Sequence, residues 1–234
     1  MSYNYNQIIT KFAQIKRKYG SRYSEELWNY IEENFEYYID KNTSPCLLMQ
    51  IYDQIGIKYP DGNFYEAHVN KVKANFDITR SILDIGSGHI PSFAKRLANE
   101  QRKLGKGTVT VYEPLLVQRR STESNLHLHR KEFTETTRIK EFDLLTGILP
   151  CEATEIMIEK ACENQKDFYI ALCGCVHANF YYPFMPITQS IYHDYLIDKA
   201  ERLLNKYDNG TLVVETLGDN YDIDYPILYN RKNT

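Results

Sequence analysis

The segment S-I-L-D-I-G-S-G-H-I-P-S-F-A-K-R-L-A, residues 81–98, decides how this sequence of 234 residues is expected to fold. It begins with SILDI, a short apolar run with the length and composition of a buried strand. Gly86 and Gly88 follow, and they let the backbone turn tightly because neither carries a Cβ atom. Pro91 then opens a helix whose first N–H groups point toward the loop. We therefore predict a ligand site framed by a strand, a glycine loop and a helix.

Two acidic residues flank this loop. Asp84 lies near the end of the predicted strand, and Glu113 closes the next β-rich run, GTVTVYEP, 25 residues after Gly88. A carboxylate at the end of the second strand can accept hydrogen bonds from both hydroxyls of a ribose. The order Asp84, Gly86, Gly88, Glu113 therefore indicates a nucleoside-binding site. The alternative is that Asp84 only caps the loop and that Glu113 is a solvated strand end.

Alternating β-rich and helical segments predict an α/β domain over residues 79–234, with a parallel sheet covered on both faces. Before it, apolar residues at helical spacing, including a helix over 64–74, predict a helical cap over residues 1–78. The last two strands are joined by a short segment without helical spacing, which predicts an antiparallel hairpin at the sheet edge. The predicted strands are 81–85, 107–114, 125–129, 142–147, 168–173, 211–216 and 226–230, and the helices are 91–103, 115–122, 152–163 and 188–206.

The segments L-D-I-G-S-G (83–88) and V-T-V-Y-E-P (109–114) resemble motifs I and II of class I S-adenosylmethionine-dependent methyltransferases. The resemblance implies a Rossmann-like fold with a seven-stranded, mostly parallel sheet, a terminal antiparallel hairpin, and S-adenosylmethionine as cofactor. Ile90 departs from the family pattern, which has a third small residue in the glycine loop. The missing glycine also disfavours a nicotinamide dinucleotide, because a pyrophosphate needs close backbone approach at this point.

The same resemblance implies which residues bind the cofactor. The glycine loop would border the methionine moiety, Asp84 would lie near its amino group, and Glu113 would bind the ribose. Tyr112 or Pro114 would flank the adenine, and residues 131–133 would reach its edge. His89 either contacts the ligand or caps the following helix. The predicted cofactor-binding residues are Asp84, Gly86, Ser87, Gly88, His89, Glu113 and Pro114.

A second group of polar residues follows the fourth and fifth predicted strands. Glu152 begins a helix, either as a general base or substrate clamp or as the N-cap of that helix. Cys173, Cys175 and His177 have ligand types suited to zinc, but a closed zinc site needs a fourth ligand. Cys151 can supply it only if the fold brings it near. We therefore expect no metal and predict a thiol pair with a histidine that lines the substrate pocket.

The run N-F-Y-Y-P-F, residues 179–184, can form an aromatic wall for a planar or cationic substrate, or can simply pack in the core. With the polar residues after the fourth and fifth strands, this run gives four candidate catalytic residues: Glu152, His177, Asn179 and Tyr181. The segments P-C-E-A-T-E and C-G-C-V-H are weakly similar to those of methyltransferases that modify ribosomal RNA. The acceptor is therefore expected to be RNA or a small molecule.

Composition narrows the functional classes. The formal net charge is −3 and the pI is about 6.1, so no DNA-coating role is expected, although a basic stretch over residues 119–131 leaves RNA open. Five cysteines without an apolar leader favour free thiols in the cytoplasm, and no apolar run is long enough to cross a membrane. Two other functions remain open: a nicotianamine-synthase-like aminobutyrate transferase that uses the same cofactor, and a binding module without catalysis.

Overall fold

The computed structural model describes residues 63–88, 90–116, 120–173, 189–218 and 225–232. Five helical elements and seven strands follow one another in this part of the chain. In order they are α1 (Phe64–Asn75), β1 (Ser81–Ile85), α2 (Ser92–Leu104), β2 (Thr108–Tyr112), β3 (Leu126–His129), β4 (Leu144–Ile148), a 3-10 turn (Cys151–Ala153), α3 (Thr154–Glu163), β5 (Asp167–Ala171), α4 (Gln189–Tyr207), β6 (Thr211–Glu215) and β7 (Ile227–Arg231).

The seven strands form one sheet in the order β3-β2-β1-β4-β5-β7-β6. The first five strands of this order run parallel to one another. β7 lies between β5 and β6 and runs antiparallel to both. This arrangement confirms the predicted α/β class, the mostly parallel sheet and the antiparallel pair at its end. The predicted cap and its boundary at residue 78 stay predictions, since residues 1–62 lie outside the described part.

Helices cover both faces of the sheet because its central strands are apolar on both sides. Phe168 and Ile170 of β5 pack in one core cluster with residues of α3 and α4, among them Met157 and Leu196. Successive residues of a strand point to opposite faces, so Tyr169 lies on the other face. There its hydroxyl is 2.8 Å from Nδ1 of His68 in α1. Both His68 and Tyr169 are buried, so α1 packs against this face of the sheet.

The predicted helix over 115–122 is wrong for the residues described. Leu115 lies in a turn, and residues 116 and 120–122 are not helical. These residues begin with a turn instead. Glu113 Oε1 accepts the Leu115 N–H at 2.8 Å, and the Glu113 carbonyl accepts the Leu116 N–H at 3.4 Å, so both N–H groups are satisfied within residues 113–116.

The loop after β4 is tightly packed. Leu149 and Cys151 have φ values of 58° and 52°, a left-handed conformation that non-glycine residues rarely adopt. Between them, Pro150 occupies the space where two glycines would carry a side chain. A Cβ atom at Gly86 would lie 2.6 Å from Pro150 Cα, and one at Gly147 would lie 2.9 Å from Pro150 Cγ. The glycine of the first loop thus makes room for the loop after β4.

We expect Gly147→Ala to lower the free energy of unfolding by about 1–3 kcal/mol, the usual cost of overpacking a filled core. The added Cβ would meet Met157 Cε and Pro150 Cγ, each at 2.9 Å, and Met157 is fully buried. Equilibrium unfolding in urea measures the change. Unaltered stability would mean that Met157 and the Pro150 loop move aside at no cost, and would contradict the tight packing of this loop.

Candidate functional site

Asp84 is held at the centre of the sheet, one residue before β1 ends. It pairs in register with Val111 of β2 on one side and with Thr146 of β4 on the other. Its Oδ1 accepts a hydrogen bond from the Thr146 hydroxyl at 2.9 Å, and its Oδ2 accepts one from the Ser87 hydroxyl. Burial raises the pKa of Asp84 to about 7, although both hydrogen bonds oppose the shift. Asp84 therefore changes charge near neutral pH.

Glu113 follows β2 and fastens the glycine loop to it. Its Oε2 accepts the Gly88 N–H at 2.9 Å, and its Oε1 accepts the Leu115 N–H at 2.8 Å. Glu113 is only 5% exposed, and burial raises its pKa, while the two backbone hydrogen bonds lower it. Each carboxylate oxygen keeps a second acceptor position. Glu113 can therefore hold the loop and still receive hydrogen bonds from a ligand.

The part of the chain that the structure describes supplies no ion-pair partner to the two carboxyl groups. The charge of Glu113 adds to the rise in the pKa of Asp84. Among the residues that the structure describes, no Lys, Arg or His forms an ion pair with either group. Burying carboxylates without a counter-charge costs free energy. A ligand that brings positive charge to this end of the sheet recovers that cost.

The remaining predicted cofactor residues are placed as follows. Gly86 has a φ of 71° and packs against Pro150. The space that a side chain would occupy at Gly86 is therefore filled by Pro150. Ser87 bonds to Asp84 and Gly88 to Glu113, as described above. Pro114 is exposed in the turn after β2. His89 lies outside the described residues.

The residues predicted to contact the adenine lie beside β2 and β3. Tyr112 is buried, 7% exposed, and packs edge-to-face against Phe142 and His129. Lys131 Nζ lies 3.5 Å from the centre of the Tyr112 ring, so the chain itself contacts one ring face. Phe133 is buried in the same core cluster, which leaves exposed Lys131 and Glu132 as the accessible part of residues 131–133.

Of the four candidate catalytic residues, the structure describes one. Glu152 is exposed in the 3-10 turn after β4. It is not the N-cap of the next helix, because Ala153 occupies that position and α3 begins at Thr154. His177, Asn179 and Tyr181 lie outside the described residues, as does Cys175, so their predicted roles are untested.

The fold brings together three residues that the sequence pattern alone does not connect. Cys151 and Cys173 follow β4 and β5, and their sulfur atoms are 3.4 Å apart. His193, the fifth residue of α4, is buried, and its Nε2 donates to the Cys173 carbonyl at 2.9 Å. The spacing of 20 residues between His193 and Cys173 carries no sequence signal. The pairing of β4 with β5 brings Cys151 to Cys173, and the packing of α4 brings His193 to the Cys173 carbonyl.

Comparisons with known proteins complete the description of the site. No family model matches the sequence, and no curated protein matches it. Among solved structures, the antibiotic-resistance methyltransferase Kmr matches with 13% identity and a TM-score of 0.45, over 70% of this chain and 93% of Kmr. Human N-acetylserotonin methyltransferase, solved with SAM, matches with 16% identity and a TM-score of 0.44, over 97% and 67% of the two chains.

A third solved structure, the 23S rRNA methyltransferase ErmE, matches with 14% identity and a TM-score of 0.42, over 76% of this chain and 70% of ErmE. All three are methyltransferases, the class that the sequence resemblance predicted. Likeness at this level concerns the path of the chain alone. Within the described residues, no helix is long and apolar enough to span a membrane.

Proposed function

We propose that this chain is an S-adenosylmethionine-dependent methyltransferase, an enzyme that transfers one-carbon groups. The observation that carries the proposal is the pair of buried carboxyl groups, Asp84 and Glu113, at the ends of two adjacent strands. Both of them accept hydrogen bonds from the adjacent glycine loop. Within the described residues, no Lys, Arg or His side chain forms an ion pair with them. Such a site favours a nucleoside that carries positive charge.

S-adenosylmethionine fits this site by the chemistry of its groups. It carries a sulfonium and an ammonium against a single carboxylate, so its net charge complements the two acids. Its ribose offers two hydroxyl donors, and Glu113 keeps one acceptor position on each oxygen, beyond the bonds to Gly88 and Leu115. A nicotinamide dinucleotide would instead bring a pyrophosphate against the glycine loop, which lacks the third glycine that allows close backbone approach.

The chain's own contribution to the reaction is to bind, orient and shield. When bound, the sulfonium supplies an activated methyl group for in-line displacement by the acceptor. Asp84 and Glu113 fix the nucleoside, and the Leu149–Cys151 loop, braced on Gly86, forms one wall beside it. A general base is needed only where the acceptor must lose a proton. Glu152, His177, Asn179 and Tyr181 are the residues that we propose for the acceptor side.

The acceptor is proposed to be RNA or a small molecule. Arg120, His127, Arg130 and Lys131 are exposed along and beside the edge strand β3, which would suit a phosphate backbone. Glu132 and Glu135 lie in the following segment and partly offset these charges. A cytoplasmic location likewise stays a prediction from the cysteine content.

Calorimetric titration tests the proposal. We expect micromolar binding of S-adenosylmethionine and of S-adenosylhomocysteine, and no binding of NAD at the same concentrations. Absence of binding by both sulfur nucleosides would overturn the proposal.

Product analysis then separates the remaining functions. Incubation with S-adenosylmethionine and pools of RNA or of small amines, thiols and phenols is expected to release S-adenosylhomocysteine. Methylthioadenosine in its place would establish transfer of the aminobutyrate group, and binding without turnover on any acceptor would favour a binding module.

A further inference from the structure

The thiols of Cys151 and Cys173 are close enough to react with each other, and the proposed methyl transfer uses neither of them. Their Sγ atoms are 3.4 Å apart in the reduced state. A disulfide bond needs sulfur atoms about 2.0 Å apart, so the two must approach by about 1.4 Å. Of the described cysteines, Cys162 is the third, and it is fully buried in α3 among core residues.

The backbone holds the two thiols in this position. β4 and β5 pair in parallel up to Ile148 and Ala171, and the Leu149 N–H continues the ladder to the Ala171 carbonyl at 2.9 Å. Cys151 and Cys173 each lie a few residues beyond these strand ends. Cys151 turns back in a left-handed conformation, and the imidazole of His193 binds the Cys173 carbonyl at 2.9 Å. Two hydrogen-bonded segments therefore fix the thiols side by side.

Cys151 is more exposed than Cys173, and stepwise oxidation requires one accessible thiol and one protected thiol beside it. Cys151 is partly exposed, whereas Cys173 is only 3% exposed. A peroxide can reach Cys151 first. Cys173, already adjacent, can then attack the oxidised sulfur before a second oxidant molecule does.

We propose that Cys151 and Cys173 form a redox-sensitive dithiol, which hydrogen peroxide closes to a disulfide and which thereby weakens nucleoside binding. The Cys151 thiolate attacks the peroxide, the O–O bond breaks, and Cys151 becomes a sulfenic acid with release of hydroxide. Cys173 sulfur then attacks Cys151 sulfur, the S–O bond breaks, and the departing oxygen leaves as water with the Cys173 proton. Both sulfur atoms are oxidised and peroxide is the species reduced.

The effect on binding follows from the position of the pair, and it rests on the proposed function. Cys151 ends the loop whose Pro150 lies against Gly86, at 2.6 Å from the position of a Cβ atom there. Burial is the main cause of the raised pKa of Glu113, and Cys151 lies near enough for a thiolate charge there to raise that pKa further. Drawing Cys151 toward Cys173 therefore moves a wall of the nucleoside site. We expect the affinity to fall about fivefold, a shift of about 1 kcal/mol.

Peptide mapping of the full chain tests the disulfide without any assumption about function. The protein is treated with hydrogen peroxide, the remaining thiols are alkylated, and the digest is analysed by mass spectrometry without reduction. We expect a Cys151–Cys173 linked peptide that is lost after dithiothreitol. Cys162 should be alkylated only after unfolding, because burial raises the pKa of its thiol to about 12 and its core position excludes the reagent. Linkage of Cys151 to another cysteine, or none, would overturn the proposal.

A binding titration on the same samples tests the consequence. Oxidised wild-type protein should bind S-adenosylhomocysteine about fivefold more weakly than reduced protein, with full recovery after dithiothreitol. Cys151→Ser and Cys173→Ser should show no response to peroxide, while Cys162→Ala should respond like wild type. Equal affinity of both forms, with the disulfide mapped, would overturn the coupling to the site. Failure of the reduced protein to bind would count against the proposed function and leave the disulfide result standing.

Discussion

Replacing Glu113 by glutamine is expected to weaken binding of S-adenosylmethionine about 100-fold or more, because two charge-assisted hydrogen bonds contribute about 3 kcal/mol or more together. The substitution keeps the shape of the side chain but turns one acceptor into a donor. Since both oxygens of Glu113 receive backbone N–H groups, from Gly88 and Leu115, the new amide must face one of them. The glycine loop then loses its attachment to β2 as the ribose contact is lost.

Calorimetric titration of Glu113→Gln against wild type measures this change. Glu135→Gln is the matched control, because Glu135 is exposed on the surface between β3 and β4 and should leave the affinity unaltered. Circular dichroism and thermal unfolding show whether the variant is folded. Wild-type affinity in a folded Glu113→Gln protein would mean that the carboxylate has a structural role only.

Asp84→Asn is expected to abolish nucleoside binding and yet to stabilise the ligand-free protein at alkaline pH. Burial holds the pKa of Asp84 at about 7 in the folded chain, against 3.8 in its absence. One pKa unit corresponds to about 1.4 kcal/mol, so ionising Asp84 in the folded protein costs about 4 kcal/mol. Asparagine has the same shape, accepts from Thr146 and donates to Ser87, and carries no charge.

The sign of the pH dependence makes this prediction specific. Below pH 3.8 the carboxyl is protonated in both states and contributes nothing to the difference. Between pH 3.8 and about 7 the unfolded chain releases the proton and the folded chain keeps it, so wild-type stability falls as pH rises. Above pH 7 the loss is complete. The gain from Asp84→Asn should therefore be about 2–3 kcal/mol larger at pH 8 than at pH 5.

Urea unfolding of both proteins at pH 5 and pH 8 measures the difference, with Asp198→Asn, at an exposed position on α4, as the control. The control should change stability at neither pH. A gain that is equal at the two pH values, or a loss at pH 8, would contradict the assignment of a buried, uncompensated carboxyl. If Asp84→Asn both stabilises the protein and abolishes binding, then Asp84 serves ligand binding and lowers the stability of the fold.

The sequence predicts the parts of the site that depend on local order along the chain. Asp84 and Glu113 each end an apolar run, and parallel strands bring such ends to one edge of the sheet, where the structure has them. The same reasoning predicts the strand boundaries within a few residues, because central strands read as continuous apolar segments. The terminal antiparallel pair follows from the short connection before β7.

The parts that sequence reasoning misses depend on which strands become neighbours. Thr146 reaches Asp84 only because β4 pairs with β1, and Cys151 meets Cys173 only because β4 pairs with β5. The glycine loop shows the same limit. The sequence explains Gly86 by a tight turn, in agreement with its φ of 71°, but it does not show that Pro150 fills the space of the missing side chain. The helix predicted over 115–122 is wrong for a different, local reason, since residues 113–116 form a turn in which Glu113 accepts the N–H groups of Leu115 and Leu116.

The position of β7 has a consequence for how the chain is made. Within the described residues, β6 pairs with no strand except β7, and β7 joins β6 to β5. During synthesis β6 emerges before β7. Until β7 emerges, Thr211–Glu215 is an unpaired strand with apolar side chains, whereas the earlier strands can already associate. Such a nascent intermediate exposes the edge of β5 and both edges of β6 to other chains. A chain that stops before Ile227 therefore loses two strands of its sheet.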